Sequence, residues 1–282
     1  MTQLVADNET QGLSGPKRSV SIGVRVRNSR ASGVLLVVLI LCAWELSART
    51  GFVQSTNWPP FSTVMATLVV DVTDGELLPL ILSTLWRLAR GYGIGCAIGI
   101  PLGFAIALLR PVRLVVRPTI ELLRPIPIPA IIPPLIFLLG LGDSLKLSSI
   151  AFATLFPVVL NTIAGVMAVE PIYDQVAKTF GVSRWTALRR VVFPAALPFV
   201  LAGLRTALGL AVVVTVVAEM IVGQDGVGYY LVSMQFAMRA ADMYAAIVLL
   251  TLIAYLLNRA FILAEGRIIR WTRLREASGD AS

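Results

Sequence analysis

Six apolar runs, separated by short polar segments, follow one another along the chain after residue 30. They lie at about 33–48, 77–109, 118–141, 147–169, 194–222 and 243–264. A helix needs roughly 17–25 mostly apolar residues to cross a bilayer, and the first run is near the short end of that range. The pattern therefore predicts an all-α integral membrane protein with six transmembrane helices.

Basic residues lie on one side of these predicted spans. None occurs between Arg49 and Arg87, whereas arginine-rich segments follow the second and sixth runs. These segments hold Arg110, Arg113, Arg117, Arg124, Arg267, Arg270, Arg273 and Arg275. Because cytoplasmic loops carry the excess of Lys and Arg, we expect both termini in the cytoplasm. Residues 1–30 are then a disordered cytoplasmic tail, and residues 265–282 are a second cytoplasmic tail.

Glycine and proline distinguish the second and third runs from the others. The second run has a smooth face for close helix packing, formed by Gly91, Gly93, Gly95, Gly99 and Gly103. The third run contains Pro125, Pro127, Pro129, Pro133 and Pro134. A proline inside a helix costs ~3 kcal/mol, so we expect this span to be broken. Broken membrane helices line cavities or are buried in protein. Pro129 and Pro133 are therefore candidates for lining a path, and a kink that serves packing alone is the alternative.

Few polar side chains lie within the runs, and such groups are functional candidates in a membrane. Asn161 and Thr162 are in the fourth run, and Glu219 is near the outer end of the fifth. All three are candidates for a path through the membrane. Hydrogen bonding between helices is the alternative for Asn161 and Thr162. For Glu219 the alternatives are an outer gate, a contact with an outer partner, or an interfacial position without such a role.

Residues 170–198 form a polar excursion between the fourth and fifth runs. Ile172, Val176 and Phe180 recur every four residues, which predicts a short helix with an apolar stripe. Gly181 is suited to end this helix, because glycine tolerates the left-handed conformation of the C′ position. The excursion is therefore expected to contain two short helices with a break at this glycine.

The second short helix leads into the fifth span. Ser183 is suited to cap its first turn, and Trp185 and Leu188 lie on one apolar face. Pro194 suits the first turn of the helix that follows, where a missing backbone N–H carries no penalty.

This segment resembles the EAA loop of the membrane subunits of bacterial ABC importers. In that loop Glu-Ala-Ala, three residues, a glycine and nine residues precede Ile-x-Leu-Pro. The corresponding residues here are Gln175, Val176, Ala177, Gly181, Val191, Phe193 and Pro194. The spacing matches, whereas Glu is replaced by Gln, Ala by Val, Ile by Val and Leu by Phe. The resemblance implies a coupling helix that docks on an ATP-hydrolysing subunit, and an ordinary amphipathic cytoplasmic loop is the alternative.

The implied dock gives each type of side chain a role. Small residues, Ala177 and Gly181, would permit close approach to a groove on the ATPase. Apolar contact would come from Val176, Phe180, Trp185 and Leu188. The basic residues Arg184, Arg189 and Arg190 would pair either with acidic residues of the ATPase or with lipid headgroups.

Two further stretches extend the resemblance to the nitrate, sulfonate and taurine branch of these permeases. They are LRPIPIPAIIPPLIFLLGLG in the third run and AGLRTALGLAVVVTVVAEMI in the fifth. The resemblance covers about residues 77–264 as the core permease domain, with 31–76 as an accessory first transmembrane helix and outer loop. It implies a type I ABC importer (MetI-like) permease fold in the bacterial inner membrane. The implied partners are a second copy of this chain, a dimer of ATPase subunits and an extracytoplasmic solute-binding protein.

The branch also implies a solute class, which is an aliphatic sulfonate, taurine or a nitrate-type anion. A pyrimidine precursor of thiamine, or another small organic solute, is the alternative within the same family. An ion-driven secondary carrier is the alternative from a different class. Such a carrier would need charged relays in its spans and would not need the EAA spacing.

Composition excludes several chemistries. The chain is 57% hydrophobic and 14% charged, so its net charge of +8 indicates topology and contact with anionic lipid rather than nucleic acid. Without histidine, and with Cys42 and Cys96 in apolar runs, it offers no catalytic triad or metal site. No Walker A motif is present, so ATP must be bound by a partner subunit and no cofactor is expected here. A membrane-embedded enzyme would need converging ionisable groups at mid-bilayer depth, and the spans are expected to provide almost none.

Overall fold

The computed structural model describes residues 30–53, 55 and 57–269, and the regular structure of these residues is entirely helical. The helices in chain order are α1 (Arg30–Arg49), α2 (Phe61–Thr73), α3 (Leu77–Leu108), α4 (Arg110–Leu123), α5 (Ile128–Leu139), α6 (Asp143–Met167), α7 (Pro171–Thr179), α8 (Arg184–Ala187), α9 (Phe193–Val222), α10 (Val227–Phe236) and α11 (Ala240–Ile268). A π-helical turn, Leu188–Val192, joins α8 to α9. Most of the two predicted tails lies outside the described residues.

Helix α1 belongs to a compact unit of its own that ends at residue 55, and the rest of the chain forms a second unit. The α1 helix is 20 residues long, which is sufficient to cross a bilayer. Its apolar side chains between Val34 and Ile40 are largely exposed. An apolar helix with this exposure is suited to contact with lipid.

Helix α6 is the centre of the second unit, with α3 and α9 packed extensively against it. Four glycines of α3 face Ile150, Thr154, Val158 and Thr162 of α6, and they are Gly91, Gly95, Gly99 and Gly103. A β-carbon at Gly95 would lie 1.9 Å from the Thr154 hydroxyl oxygen. The predicted smooth face is therefore confirmed at these four glycines, whereas Gly93 faces open space.

The third predicted span is broken, as its prolines indicate. Helix α4 ends at Leu123, before Pro125, and α5 begins at Ile128, after Pro127. The two helices meet at an angle of 103°. The first half begins at Arg110 rather than near residue 118, so the inner arginine-rich segment is itself helical. With this pair counted as one span, the described residues contain six candidate spans, as predicted.

The segment 49–76, expected to be an outer loop, contains the additional helix α2. This helix packs against α11 and buries Val64 and Leu68. Asp71 near its end is also buried and accepts a hydrogen bond of 3.1 Å from the Tyr230 hydroxyl. At 13 residues α2 is too short to cross a bilayer. Its formation depends on packing against α11, which local sequence does not reveal.

Candidate functional site

The polar excursion between α6 and α9 has the helix–break–helix form that its sequence predicts. Helix α7 ends at Thr179, and Gly181 has a φ of 64°, in the left-handed region. The N–H of Val182 donates to the Ala177 carbonyl at 2.8 Å, and the N–H of Phe180 donates to the Val176 carbonyl at 3.0 Å. These bonds satisfy carbonyls of the last helical turn in the arrangement of a glycine C-cap.

The second short helix is continuous with the fifth span. Ser183 caps α8 by accepting a hydrogen bond of 3.3 Å from the Thr186 N–H. Helix α8, the π-helical turn and α9 then form one helical stretch of 39 residues, Arg184–Val222. Pro194 lies in the first turn of α9, as predicted. Helix α8 is therefore continuous with a helix long enough to span a membrane.

Helices α7 and α8 present apolar side chains that the described part of the chain does not cover. Phe180 and Trp185 are 78% and 69% exposed, and Val176 is about half exposed. Gln175 is also exposed, whereas Ala177 and Leu188 are half-buried. The exposed cations Arg184, Arg189 and Arg190 have no ion-pair partner among the described residues. A solvent-exposed apolar patch bordered by charged residues is typical of an interaction surface.

A second group of polar side chains lies at the opposite end of the helical core. Arg87 of α3 is buried, and its Nη1 donates to Glu219 Oε1 of α9 at 2.9 Å. Its Nε donates to Asp143 Oδ1 of α6 at 2.7 Å. Its Nη2 donates to Asp225 Oδ2, in the loop after α9, at 2.5 Å. One guanidinium thus connects three helices and a loop.

Glu219 is fully buried and has donors besides Arg87. The Thr84 hydroxyl donates to its carboxylate at 2.9 Å, and the Gly228 N–H donates to it at 3.0 Å. The backbone approaches this closely because Gly226, with a φ of 98°, has no side chain. A β-carbon there would lie 2.4 Å from the Glu219 carboxyl carbon. Glu219 therefore holds the loop that leads into α10.

Two more cations complete this group, which we name the Arg87 cluster (Arg87, Arg90, Asp143, Lys146, Glu219 and Asp225). Buried Lys146 lies 3.4 Å from Asp225, and Arg90 lies 3.6 Å from Asp143. The cluster thus contains three cations and three carboxylates, and its formal charges cancel. Burial is the largest single effect on the Asp225 carboxyl and raises its pKa. The hydrogen bonds from Arg87 and Ser83, together with the charges of Arg87 and Lys146, outweigh burial and keep that pKa below its ordinary value.

These groups converge at one end of the core, whereas the expectation of almost no converging ionisable groups applied to mid-bilayer depth. Arg87 lies inside the second apolar run, and Glu219 lies inside the fifth. The two residues lie near the same predicted end of their spans, and their charges are opposite. The sequence could therefore have indicated that Arg87 and Glu219 pair, because an unpaired charge inside a membrane protein is costly. Glu219 is enclosed by this cluster and has no face exposed to a path in the chain.

Asn161 lines a cavity of about 610 Å³ beside the bend between α4 and α5. Arg124 of the bend and Thr206 of α9 line the same cavity. Of the other candidates for a path, Thr162 and Glu219 are fully buried, and Pro129 and Pro133 are exposed on α5 outside the cavity lining. The structure thus brings one of the five predicted path residues to a cavity, together with Arg124, which the sequence did not identify as a path residue.

Comparison with known proteins finds a family that matches most of the second unit. Residues 99–273 match the family described as binding-protein-dependent transport system inner membrane component. This range contains α7, α8, the cavity and most of the Arg87 cluster. Helices α1 and α2 lie outside it.

Curated relatives match over most of the chain. The putative aliphatic sulfonates transport permease protein SsuC of Bacillus subtilis (strain 168) is 28% identical over 247 residues, which cover 88% of this chain and 90% of that protein. The taurine transport system permease protein TauC of Escherichia coli (strain K12) is 29% identical over 240 residues, which cover 83% of this chain and 87% of that protein.

A solved structure of the MetNI methionine ABC transporter in an inward-facing conformation is similar in fold. The TM-score is 0.59 at 19% sequence identity, and the match covers 68% of this chain and 95% of that chain. At this identity the likeness shows a shared fold and nothing about the solute. The predicted MetI-like fold is thereby confirmed.

Proposed function

Since this chain belongs to the family of binding-protein-dependent transport system inner membrane components, we propose that it forms the membrane path of an ABC importer for a small solute of the sulfonate, taurine or nitrate type. The chain is a non-catalytic permease subunit, and ATP hydrolysis belongs to a separate subunit. The observation that carries this function is the family match over residues 99–273, which includes the predicted EAA segment and α9.

The proposed solute is an aliphatic sulfonate or taurine. Two relatives that match more than four-fifths of this chain are named for these solutes. A nitrate-type anion is the other member of the proposed class, and a pyrimidine precursor of thiamine, or another small organic solute, is the alternative within the family. The ion-driven carrier is not favoured, because the family depends on a binding protein and an ATPase rather than on an ion gradient.

We infer that α7 and α8 dock on the ATPase subunit. Exposed Phe180 and Trp185 support this inference, because covering apolar surface contributes roughly 25 cal/mol for each Å² removed from water. The glycine turn at Gly181 fixes the angle between the two helices. Closure of the ATPases on ATP would bring two such segments together, and the continuous α8–α9 helix would transmit that movement to the path. Hydrolysis would then reset the path after the solute has reached the cytoplasm.

The proposed assembly contains two copies of this chain, two ATPase subunits and one extracytoplasmic binding protein in a bacterial inner membrane. Both termini are placed in the cytoplasm. The distribution of basic residues supports this orientation, because exposed Arg184, Arg189 and Arg190 lie at the end of the core where cytoplasmic cations are expected. At the other end, the cations Arg87 and Lys146 are buried and paired with carboxylates.

Gentle extraction of the tagged chain from its native membrane tests the assembly. A stoichiometric ATPase should accompany the wild-type chain and be absent from the Gly181→Asp variant. Gly181→Asn is the matched control, because asparagine has the size of aspartate and also visits the left-handed conformation but carries no charge. A wild-type chain that emerges alone, although the ATPase is present in the same membranes, contradicts the proposed dock.

Transport assays in proteoliposomes test the energy source. Uptake should require ATP inside the vesicle and should persist when an ionophore collapses ion gradients. Ionophore-sensitive uptake without a bound ATPase would instead support the secondary carrier.

A further inference from the structure

The cavity beside the bent span has dimensions suited to a small solute. Its volume of about 610 Å³ falls within the range of roughly 300–1,000 Å³ that is typical of ligand pockets. The walls come from the bend after α4, from α6 and from α9. Most of the lining is apolar and includes Ile126, Ile128, Phe156, Leu160 and Leu210.

Arg124 is the one charged residue in this lining. No described residue donates to, accepts from or forms an ion pair with its side chain, in contrast to the fully engaged guanidinium of Arg87. An arginine presents five N–H donors in a planar fork that matches the geometry of an oxyanion. Arg124 is exposed and has no partner among the described residues, so the cavity has one cationic position available to a negatively charged group.

Two neutral polar side chains accompany Arg124. The Asn161 amide donates one hydrogen to the Pro157 carbonyl at 2.8 Å, which leaves its second N–H and its oxygen available. The Thr206 hydroxyl donates to the Ala202 carbonyl at 3.0 Å, so its oxygen remains an acceptor towards the cavity. The cavity therefore has few polar groups, and Arg124 is the cation among them.

We propose that this cavity is a solute subsite for aliphatic sulfonates, in which Arg124 binds the sulfonate group and Phe156, Leu160 and Leu210 contact the alkyl chain. The solute class rests on the function proposed above. The apolar walls then add a preference, because an alkyl chain gains from leaving water whereas nitrate has no apolar part to bury. Asn161 lies roughly 27 Å along α6 from Asp143, which puts the subsite in the half of the core nearer to α7.

Other occupants fit this lining less well. An apolar helix of a second copy, or a lipid acyl chain, would cover Arg124 and Asn161 without supplying hydrogen-bond partners, and such burial is costly. The phosphate of an anionic lipid, which lacks the neutralising choline of phosphatidylcholine, shares the oxyanion chemistry of a sulfonate. The lipid composition must therefore be varied in any test.

The test uses the complete transporter, with its ATPase and binding protein, in vesicles of phosphatidylcholine alone and in vesicles that also contain anionic lipid. ATP-dependent uptake of radiolabelled butanesulfonate and ethanesulfonate is compared for the wild type, Arg124→Gln and Arg117→Gln. Arg117 is the matched control, because it is exposed on the adjoining helix α4 and pairs with Glu121 outside the cavity. Subunit assembly and basal ATP hydrolysis are measured on each preparation.

We expect Arg124→Gln to reduce butanesulfonate uptake about tenfold or more in both lipid mixtures, as for the loss of one hydrogen bond to a charged group. Arg117→Gln should transport at the wild-type rate, and all variants should assemble. Arg124→Lys should restore part of the uptake. Leu210→Asn should lower uptake of butanesulfonate more than that of ethanesulfonate, which a role in folding alone would not produce.

The outcomes of this experiment distinguish an incorrect subsite from an incorrect proposed function. Wild-type uptake of butanesulfonate together with unchanged uptake by Arg124→Gln overturns the subsite and leaves the importer function intact. A defect confined to vesicles with anionic lipid assigns Arg124 to a lipid headgroup and also overturns the subsite. A wild-type transporter that takes up nitrate or a pyrimidine but no sulfonate overturns both the solute class and the subsite.

Discussion

The Arg87 guanidinium donates to the Glu219 carboxylate across 2.9 Å, at a position where both side chains are buried. The two residues are 132 positions apart in the sequence. Because Arg87 also reaches Asp143 and Asp225, one side chain fastens α3, α6 and α9 at the end of the core opposite to α7. The helices that meet there are the same three that pack most extensively elsewhere.

Removing one member of this group should destabilise the core more than removing a surface charge. Transfer of a charge from water into a protein interior costs several kcal/mol, and the attraction between partners offsets that cost only while the set is complete. Glu219→Gln keeps the size of the side chain and removes its charge. We expect the free energy of unfolding in mixed micelles to fall by about 3 kcal/mol, at the low end for a broken buried pair, because Asp143 and Asp225 still contact Arg87.

Glu121→Gln is the control for this measurement. Glu121 forms an ion pair of 2.9 Å with Arg117, and both side chains are largely exposed. Exposed pairs contribute ~0–1 kcal/mol, so this variant should unfold almost like the wild type. Equal destabilisation by the two substitutions would show that the buried Arg87–Glu219 pair contributes no more to stability than an exposed ion pair does.

The stability that the Arg87 cluster contributes should depend on pH through the Asp225 carboxyl. Burial raises the pKa of its carboxyl, but the hydrogen bonds from Arg87 and Ser83 and the charges of Arg87 and Lys146 together bring that pKa below its ordinary value. A group whose pKa is lowered by folding contributes stability above its unfolded pKa and loses that contribution as the pH falls through its folded pKa. Acid should therefore destabilise the wild type more than Asp225→Asn. A parallel pH dependence of the unfolding temperature in both proteins would contradict this assignment.

The features that the sequence predicts well are local or periodic. The helical spans follow from long apolar runs, and the bend follows from Pro125 and Pro127, which exclude a regular helix at that point. The turn at Gly181 follows from an apolar stripe that ends at a glycine. Each of these depends on residues within a few positions of one another, so no knowledge of the tertiary arrangement is needed.

The features that the sequence does not predict depend on contacts between distant segments. The partner of Glu219 is Arg87, and only the packing of α3 beside α9 brings the two together. Helix α2 is stabilised by burial against α11, and an isolated helix of its length is marginal in water. The cavity at Asn161 exists because the bend, α6 and α9 meet without filling the space between them.

The contact between α3 and α6 leaves no room for a side chain at Gly95. A β-carbon there would lie 1.9 Å from Thr154 Oγ1 and 2.8 Å from the Ala151 carbonyl oxygen, so backbone as well as side chain must move. We expect Gly95→Ala to lower the free energy of unfolding by ~1–3 kcal/mol, as for overpacking of a core.

Gly93→Ala is the matched control for Gly95→Ala. Gly93 lies on the same helix, and a β-carbon added to it would have no other atom within 4 Å. Alanine is also the better helix former by roughly 0.5–1 kcal/mol. This variant should be as stable as the wild type or more stable. A loss of stability in Gly93→Ala equal to that in Gly95→Ala would count against the close approach of α3 and α6.

Truncation of Phe180 or Trp185 should affect docking on the ATPase without affecting the stability of the chain. Both are exposed in the chain, at 78% and 69%, so truncation removes little packing within it. Phe180→Ala and Trp185→Ala should therefore leave the unfolding temperature of the isolated chain unchanged. If these side chains are anchors of the ATPase interface, each truncation should weaken ATPase binding by about 2 kcal/mol, or roughly thirtyfold, in a titration of purified subunits.

Phe236→Ala is the control, because Phe236 is 82% exposed on α10 at the opposite end of the core. Its truncation should change neither the unfolding temperature nor the affinity for the ATPase. Wild-type affinity in both dock variants, or equal weakening by Phe236→Ala, would remove α7 and α8 from the interface.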